Sequence, residues 1–140
     1  MRTFLLNPYS LNDNCVSLLL RLTLGGLMTY HGVVKITTFA DVLPYFPSVI
    51  GINSEFELTL VILSECISGL LVLAGIQTRL ATIPIFITMF IAFFIAHSKD
   101  TFQTKELAFV FMILSIIVFI SGSGKISIDN LIFKNTMGDE

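Results

Sequence analysis

Arg21, His31 and Lys35 stand inside one long apolar run, Leu18 to Phe39 (LLLRLTLGGLMTYHGVVKITTF). At about 100° per residue, Arg21, Leu24, Met28, His31 and Lys35 share a helical stripe roughly 80° wide. Later apolar runs carry Glu65, His97 and Glu106. A histidine beside a carboxylate can exchange protons near neutral pH. A guanidinium or ammonium can hold a carboxylate charged or stabilise a reduced anion. All of these groups are costly in hydrocarbon unless they face protein or water.

Two accounts fit, and the residues alone leave both open. In one the groups pair, Glu65 with Arg21 or Lys35 and Glu106 with His97 or Lys35, which neutralises charge and sets helix register. In the other they line a polar pocket that binds a small polar or quinone-like headgroup and moves protons. At about 1.5 Å per residue, His31 lies roughly 7 Å outward of the first helix's midpoint. Lys35, Glu65, His97 and Glu106 fall between the midplane and that same outer end, and Arg21 lies on the inner half, within a long side chain's reach of Glu65.

Other chemistries find less support. His31, His97, Glu65 and Glu106 lack a diagnostic ligand spacing, and a nearby lysine disfavours a cation, so no metal is expected. Different depths for the two histidines argue against bis-histidine haem ligation. Phe86, Phe90, Phe93 and Phe94 recur at helical spacing; such a stripe is ordinarily packing, and Phe90 and Phe94 are the candidates for holding a quinone ring. Cys15 and Cys66 form no CxxC pair and read as buried, inert thiols. No phosphate loop, dinucleotide fingerprint or nucleophile elbow occurs.

The elements that must position these groups follow from composition. Of 140 residues, 54% are hydrophobic and only 13% charged, where a soluble domain carries about a quarter charged. An integral membrane protein is expected, with the lipid bilayer as its partner. A net charge of −2 supplies no basic field for nucleic acid. No cleavable signal peptide stands out, because the early run is broken by Asn7, Pro8, Asn12, Asp13 and Asn14.

Spans are expected at about 14–39, 56–74, 80–97 and 106–121, each near the roughly 20 residues that cross a membrane. Gly25, Gly26 and Gly32 permit close helix approach. Residues 40–54 hold Pro44, Pro47, Gly51 and Asn53 yet are apolar; they read as an interfacial segment with Tyr45 and Phe46 at headgroup depth, or as a loop packed over the helices. Gly75 is a plausible helix stop, and Pro84 lies early in the third span. The tail, 125–140, reads as a short interfacial segment with a polar end. Together these make an all-α, integral membrane four-helix bundle, up-down-up-down, in a single domain, with a short interfacial segment between helices 1 and 2. Arg2, Arg79, Lys125 and Lys134 against Lys99 and Lys105 favour both termini on the cytoplasmic side.

In order and spacing, Arg21, then His31-Gly32 with Lys35, then Glu65 resemble the DoxX family of small bacterial membrane proteins. Gly75-x-x-Thr78-Arg79 resembles its short inner loop, His97 with Glu106 its third connection, and Gly122-x-Gly124-x-x-Ser127-x-Asp129 its closing motif. The resemblance spans about residues 15 to 130. It implies a multi-pass protein of the bacterial inner membrane with a link to redox work, since relatives include the membrane subunit of a thiosulfate:quinone oxidoreductase. On that reading His31 or His97 hydrogen-bonds a quinone oxygen and Glu65 or Glu106 passes protons. Arg21 and Lys35 hold charge, and Phe90 and Phe94 meet the ring. The chain has no soluble redox domain, so a soluble redox partner subunit is implied; self-association into a homo-oligomer is compatible. The competing reading is a non-enzymatic binding or assembly protein whose charges form an ion-pair network. A transporter is weaker, because no inverted repeat is visible.

Overall fold

A computed structural model describes residues 13–136. The described residues form helices joined by turns and short extended stretches, without a strand. We name α1 Asp13–Thr37, α2 Ser54–Ala74, α3 Thr78–Ala96, α4 Phe102–Ser121 and α5 Ile128–Thr136. By length and composition, α2, α3 and α4 are each long and apolar enough to cross a membrane. The 25-residue α1 is long enough, but Arg21, His31, Lys35 and its glycines and threonines dilute its apolar character.

The boundaries have local causes. Asp13 in the first turn and Lys35 in the last complement the α1 dipole. Asn53 caps α2, its side chain accepting from the Glu55 N–H at 2.9 Å. At the other end Gly75 takes a left-handed conformation, φ 72°. Ile76 N–H bonds Leu71 O at 2.9 Å and Gly75 N–H bonds Val72 O at 3.1 Å, a Schellman stop. Pro84 sits inside α3 without ending it, and α3 begins at Thr78, ahead of the expected start. The fourth helix begins at Phe102 rather than near 106, because Thr101 is extended and its carbonyl accepts from Thr104 N–H at 3.1 Å. Between α1 and α2 a helical turn (Phe39–Val42) and a 3-10 turn (Leu43–Tyr45) lead into extended chain. Tyr45 is 88% exposed there.

Two short π-helical stretches interrupt the regular ladders, Ser64–Ser68 in α2 and Ala92–Ala96 in α3. Such stretches often mark functional positions. Across the first of them Thr88 Oγ1 on α3 donates to Ser64 Oγ at 2.9 Å.

Helix α1 lies along α2, α2 meets α3, α3 packs along α4, and α4 returns to α1. The α1–α2 crossing is set by glycine. A Cβ on Gly25 would stand 2.6 Å from Leu73 N, and one on Gly69 would stand 2.7 Å from Thr29 N. A Cβ on Gly32 would stand 2.5 Å from Cys66 Sγ. Gly26 has nothing closer than a Leu73 methyl at 4.0 Å, so it takes no part in the crossing. Leu24, Met28, Val72, Ile85, Met89, Phe111, Met112 and Val118 form the core. Large apolar side chains also cover the outside, with Ile120 71% exposed, the surface a lipid solvent requires.

Candidate functional site

The polar stripe of α1 is not one site. Its two cations diverge to opposite ends, with fully buried Leu24 and Met28 between them.

At one end Lys35 meets Glu65 of α2. Lys35 Nζ lies 2.6 Å from Oε1 and 2.5 Å from Oε2. Glu65 is 2% exposed and Lys35 27%. The carboxylate leaves the π-helical stretch of α2, whose extra residue offsets the register of the turn there.

This pair belongs to the wall of a cavity of about 660 Å³. His31 joins from α1, Thr88 and His97 from α3, Leu107 and Phe111 from α4, and Tyr45 to Pro47 from the α1–α2 connection. The connection is therefore a wall of the cavity as well as a surface segment. The His31 ring packs edge-on against Phe111 and Tyr30, with centroids 5.6 and 5.8 Å away. Among the described residues its nitrogens make no hydrogen bond. His97 also lines the cavity, and its Nδ1 lies 2.6 Å from Asp100 Oδ2.

Glu57, which the sequence reading passed over, also lines the cavity and is buried. Its carboxylate accepts from Val49 N–H at 2.7 Å, Ile50 N–H at 3.1 Å, Ile52 N–H at 3.2 Å and the Ser48 hydroxyl at 3.0 Å. One side chain thus satisfies most of the extended connection. A carboxylate in the first turn of an apolar helix, just after a loop with proline but free N–H donors, was the available signal.

Four expected site residues lie elsewhere. Glu106 is exposed on α4 and is not in the cavity wall; the carboxylate beside His97 is Asp100. Phe90 and Phe94 are 42% and 52% exposed and also lie outside that wall. They stack on each other at 4.6 Å within an aromatic row that runs through Phe93 to Phe109, with Lys105 Nζ 5.0 Å from the Phe93 ring.

Arg21 lies at the opposite end, away from Glu65. It is 1% exposed, and its Nη2 donates to Ile126 O at 2.7 Å. Its guanidinium lies against Gly75 so closely that a Cβ there would collide with Nη1. Around it the closing segment folds back. Ser17 Oγ donates to Gly122 O at 2.8 Å, Lys125 N–H to Asn14 Oδ1 at 3.0 Å, and Asp129 N–H to Gly75 O at 3.0 Å. Asp129 Oδ1 in turn accepts from Gln77 N–H at 2.9 Å. The two glycine motifs therefore form a buckle on Arg21, and Arg21 is part of its scaffold.

Both cysteines are free thiols; Cys15 is exposed, not buried as expected, and Cys66 is half-buried against Gly32. Among the described residues no three His, Cys, Asp or Glu side chains converge as metal ligands would. The cavity can hold an amphiphile: apolar walls for its body, the His31 ring for one polar contact, and the Lys35–Glu65 pair for another.

The DoxX family model matches residues 16–98. A Bacillus subtilis (strain 168) protein named "Putative oxidoreductase CatD" is 29% identical over 119 residues, covering 84% of this chain and 87% of that protein. No solved structure gives a significant match.

Proposed function

This chain belongs to the DoxX family and is a multi-pass membrane protein, and from that premise we propose that it is the quinone-binding membrane subunit of an oxidoreductase. In this reading α1 to α4 form an up-down-up-down bundle in a bacterial inner membrane, both termini are cytoplasmic, and the cavity opens toward the outer leaflet. The oxidoreductase class is carried from the name of the Bacillus subtilis relative.

The observation that carries the reading is the His31 ring. It stands in the wall of an apolar cavity, packed against aromatic rings, with nitrogens unbonded among the described residues. His31 is half-buried, and a polar ring edge held in an apolar wall without a protein partner leaves a hydrogen bond for a ligand to make. A carbonyl or hydroxyl on a flat ring would satisfy it, and the volume of about 660 Å³ accommodates a quinone head with the start of its tail. A bound quinone supplies reversible two-electron, two-proton chemistry. His31 orients its oxygen. Lys35 and Glu65 provide a charged but internally balanced wall. In this reading electrons come from a soluble partner subunit.

The test is native mass spectrometry with quinone extraction on protein purified in mild detergent. Retained quinone, lost in His31→Ala, supports the reading; protein that never carries or takes up quinone ends it. A second reading, a ligand-binding or assembly protein without redox work, draws on the Lys35–Glu65 pair, which is closed upon itself. Co-purification of a non-redox lipid or metabolite would favour it.

A further inference from the structure

We propose that Asp100 is a positioning residue that presents His97 Nε2 to the cavity, making His97 the group that exchanges protons between a cavity ligand and the surrounding water. The inference rests on the reading that the cavity holds a ligand.

His97 sits where three features meet. It follows the π-helical stretch of α3, and its N–H bonds Ala92 O at 3.0 Å, the wider spacing of that stretch. The chain then turns at once, with Asp100 N–H bonded to His97 O at 3.1 Å. Ring and carboxylate are therefore held on one turn, and Nδ1 and Oδ2 meet at 2.6 Å, a close hydrogen bond. The side chains of His97 and Asp100 are 43% and 45% exposed, yet His97 is also part of the cavity wall. The ring thus borders both the cavity and the outside of the helices. His31, deeper on α1, is the other histidine of the chain.

The bond to Asp100 occupies Nδ1. In the neutral ring it places the proton on Nδ1 and leaves the Nε2 lone pair as acceptor. Nε2 takes a proton from a ligand hydroxyl, breaking that O–H bond and forming N–H; the imidazolium is stabilised by Asp100, which stays ionised. Water then removes the Nε2 proton and restores the neutral ring. The reverse order delivers a proton. No electron passes through His97. The charged and titratable groups that share its surroundings are Asp41, Glu57, His31 and the Lys35–Glu65 pair in the same cavity wall, Lys99 on the same turn, and Lys105, whose ammonium lies over the Phe93 ring.

The test uses ¹⁵N-histidine NMR on the full chain in lipid nanodiscs. With only two histidines, His31→Ala assigns both rings. At about pH 8, where an ordinary imidazole is neutral, His97 should show pyrrole-type Nδ1 and pyridine-type Nε2. Asp100→Asn should mix or reverse the tautomers, and Asp100→Glu should restore them. Added decylubiquinone should shift His97 Nε2 more than Nδ1. A His97 that carries its proton on Nε2, or a spectrum unmoved by Asp100→Asn, overturns the proposal. So does decylubiquinone that shifts His31 alone, and in that case the ligand cavity stands. If neither ring responds, the cavity reading falls and this inference with it.

Discussion

Lys35 of α1 closes on Glu65 of α2 through both carboxylate oxygens, with the glycine crossing of the two helices directly beneath it. The pair joins the ends of two helices that approach at Gly25, Gly32 and Gly69. It is therefore both a clasp and a piece of cavity wall, and substitution can separate the two roles.

Removing one partner leaves the other charge without its complement. Glu65→Gln or Lys35→Met should destabilise the protein by about 3 kcal/mol, the low end for breaking a buried pair because Lys35 is 27% exposed. The double variant Lys35→Met/Glu65→Leu should recover most of that loss, since an apolar pair of similar volume avoids the desolvation cost. Thermal unfolding in one detergent measures both. Quinone retention in the double variant then shows whether the charges serve the ligand or only the helices.

The α1–α2 contact distinguishes neighbouring glycines. Gly25→Ala drives a Cβ into backbone atoms at 2.6 Å and 2.7 Å and should cost about 1–3 kcal/mol as overpacking. Gly26→Ala meets only a methyl at 4.0 Å and should be neutral or stabilising by up to about 1 kcal/mol through helix propensity. Equal effects at the two positions, read from melting curves, would contradict the crossing.

Glu57→Ala should free the connection between α1 and α2. The amides of Val49, Ile50 and Ile52 lose their acceptor, and their hydrogen exchange should quicken by about an order of magnitude or more while that of α4 stays unchanged. Unchanged protection at these three amides would mean that the connection is held by other contacts.

Arg21→Met should loosen the closing segment and leave the cavity intact. Ile126 O loses its guanidinium donor, so proteolysis at the exposed Lys125 should accelerate. If the cavity holds quinone as proposed, its retention should persist, because Arg21 is not in the cavity wall. Loss of quinone from a folded Arg21→Met protein would place Arg21 in the site after all.

By itself the sequence determined the solvent and the element type. An apolar excess with few charges leaves helices as the way to satisfy backbone groups in lipid, and Gly75 marks an end that the structure reproduces. The shared face of Arg21, Leu24, Met28, His31 and Lys35 is likewise a matter of helical period. Which charges meet was decided only by tertiary structure, because a long side chain at a given depth can reach toward either end of its helix. Arg21 turns to Ile126, and Lys35 turns to Glu65. Two π-helical stretches alter the register beside Glu65 and His97, and no residue pattern announces them. Phe90 and Phe94 illustrate the same limit: period groups them with their neighbours, but only packing says that they face outward and leave the cavity wall to Ile87, Thr88 and Ile91.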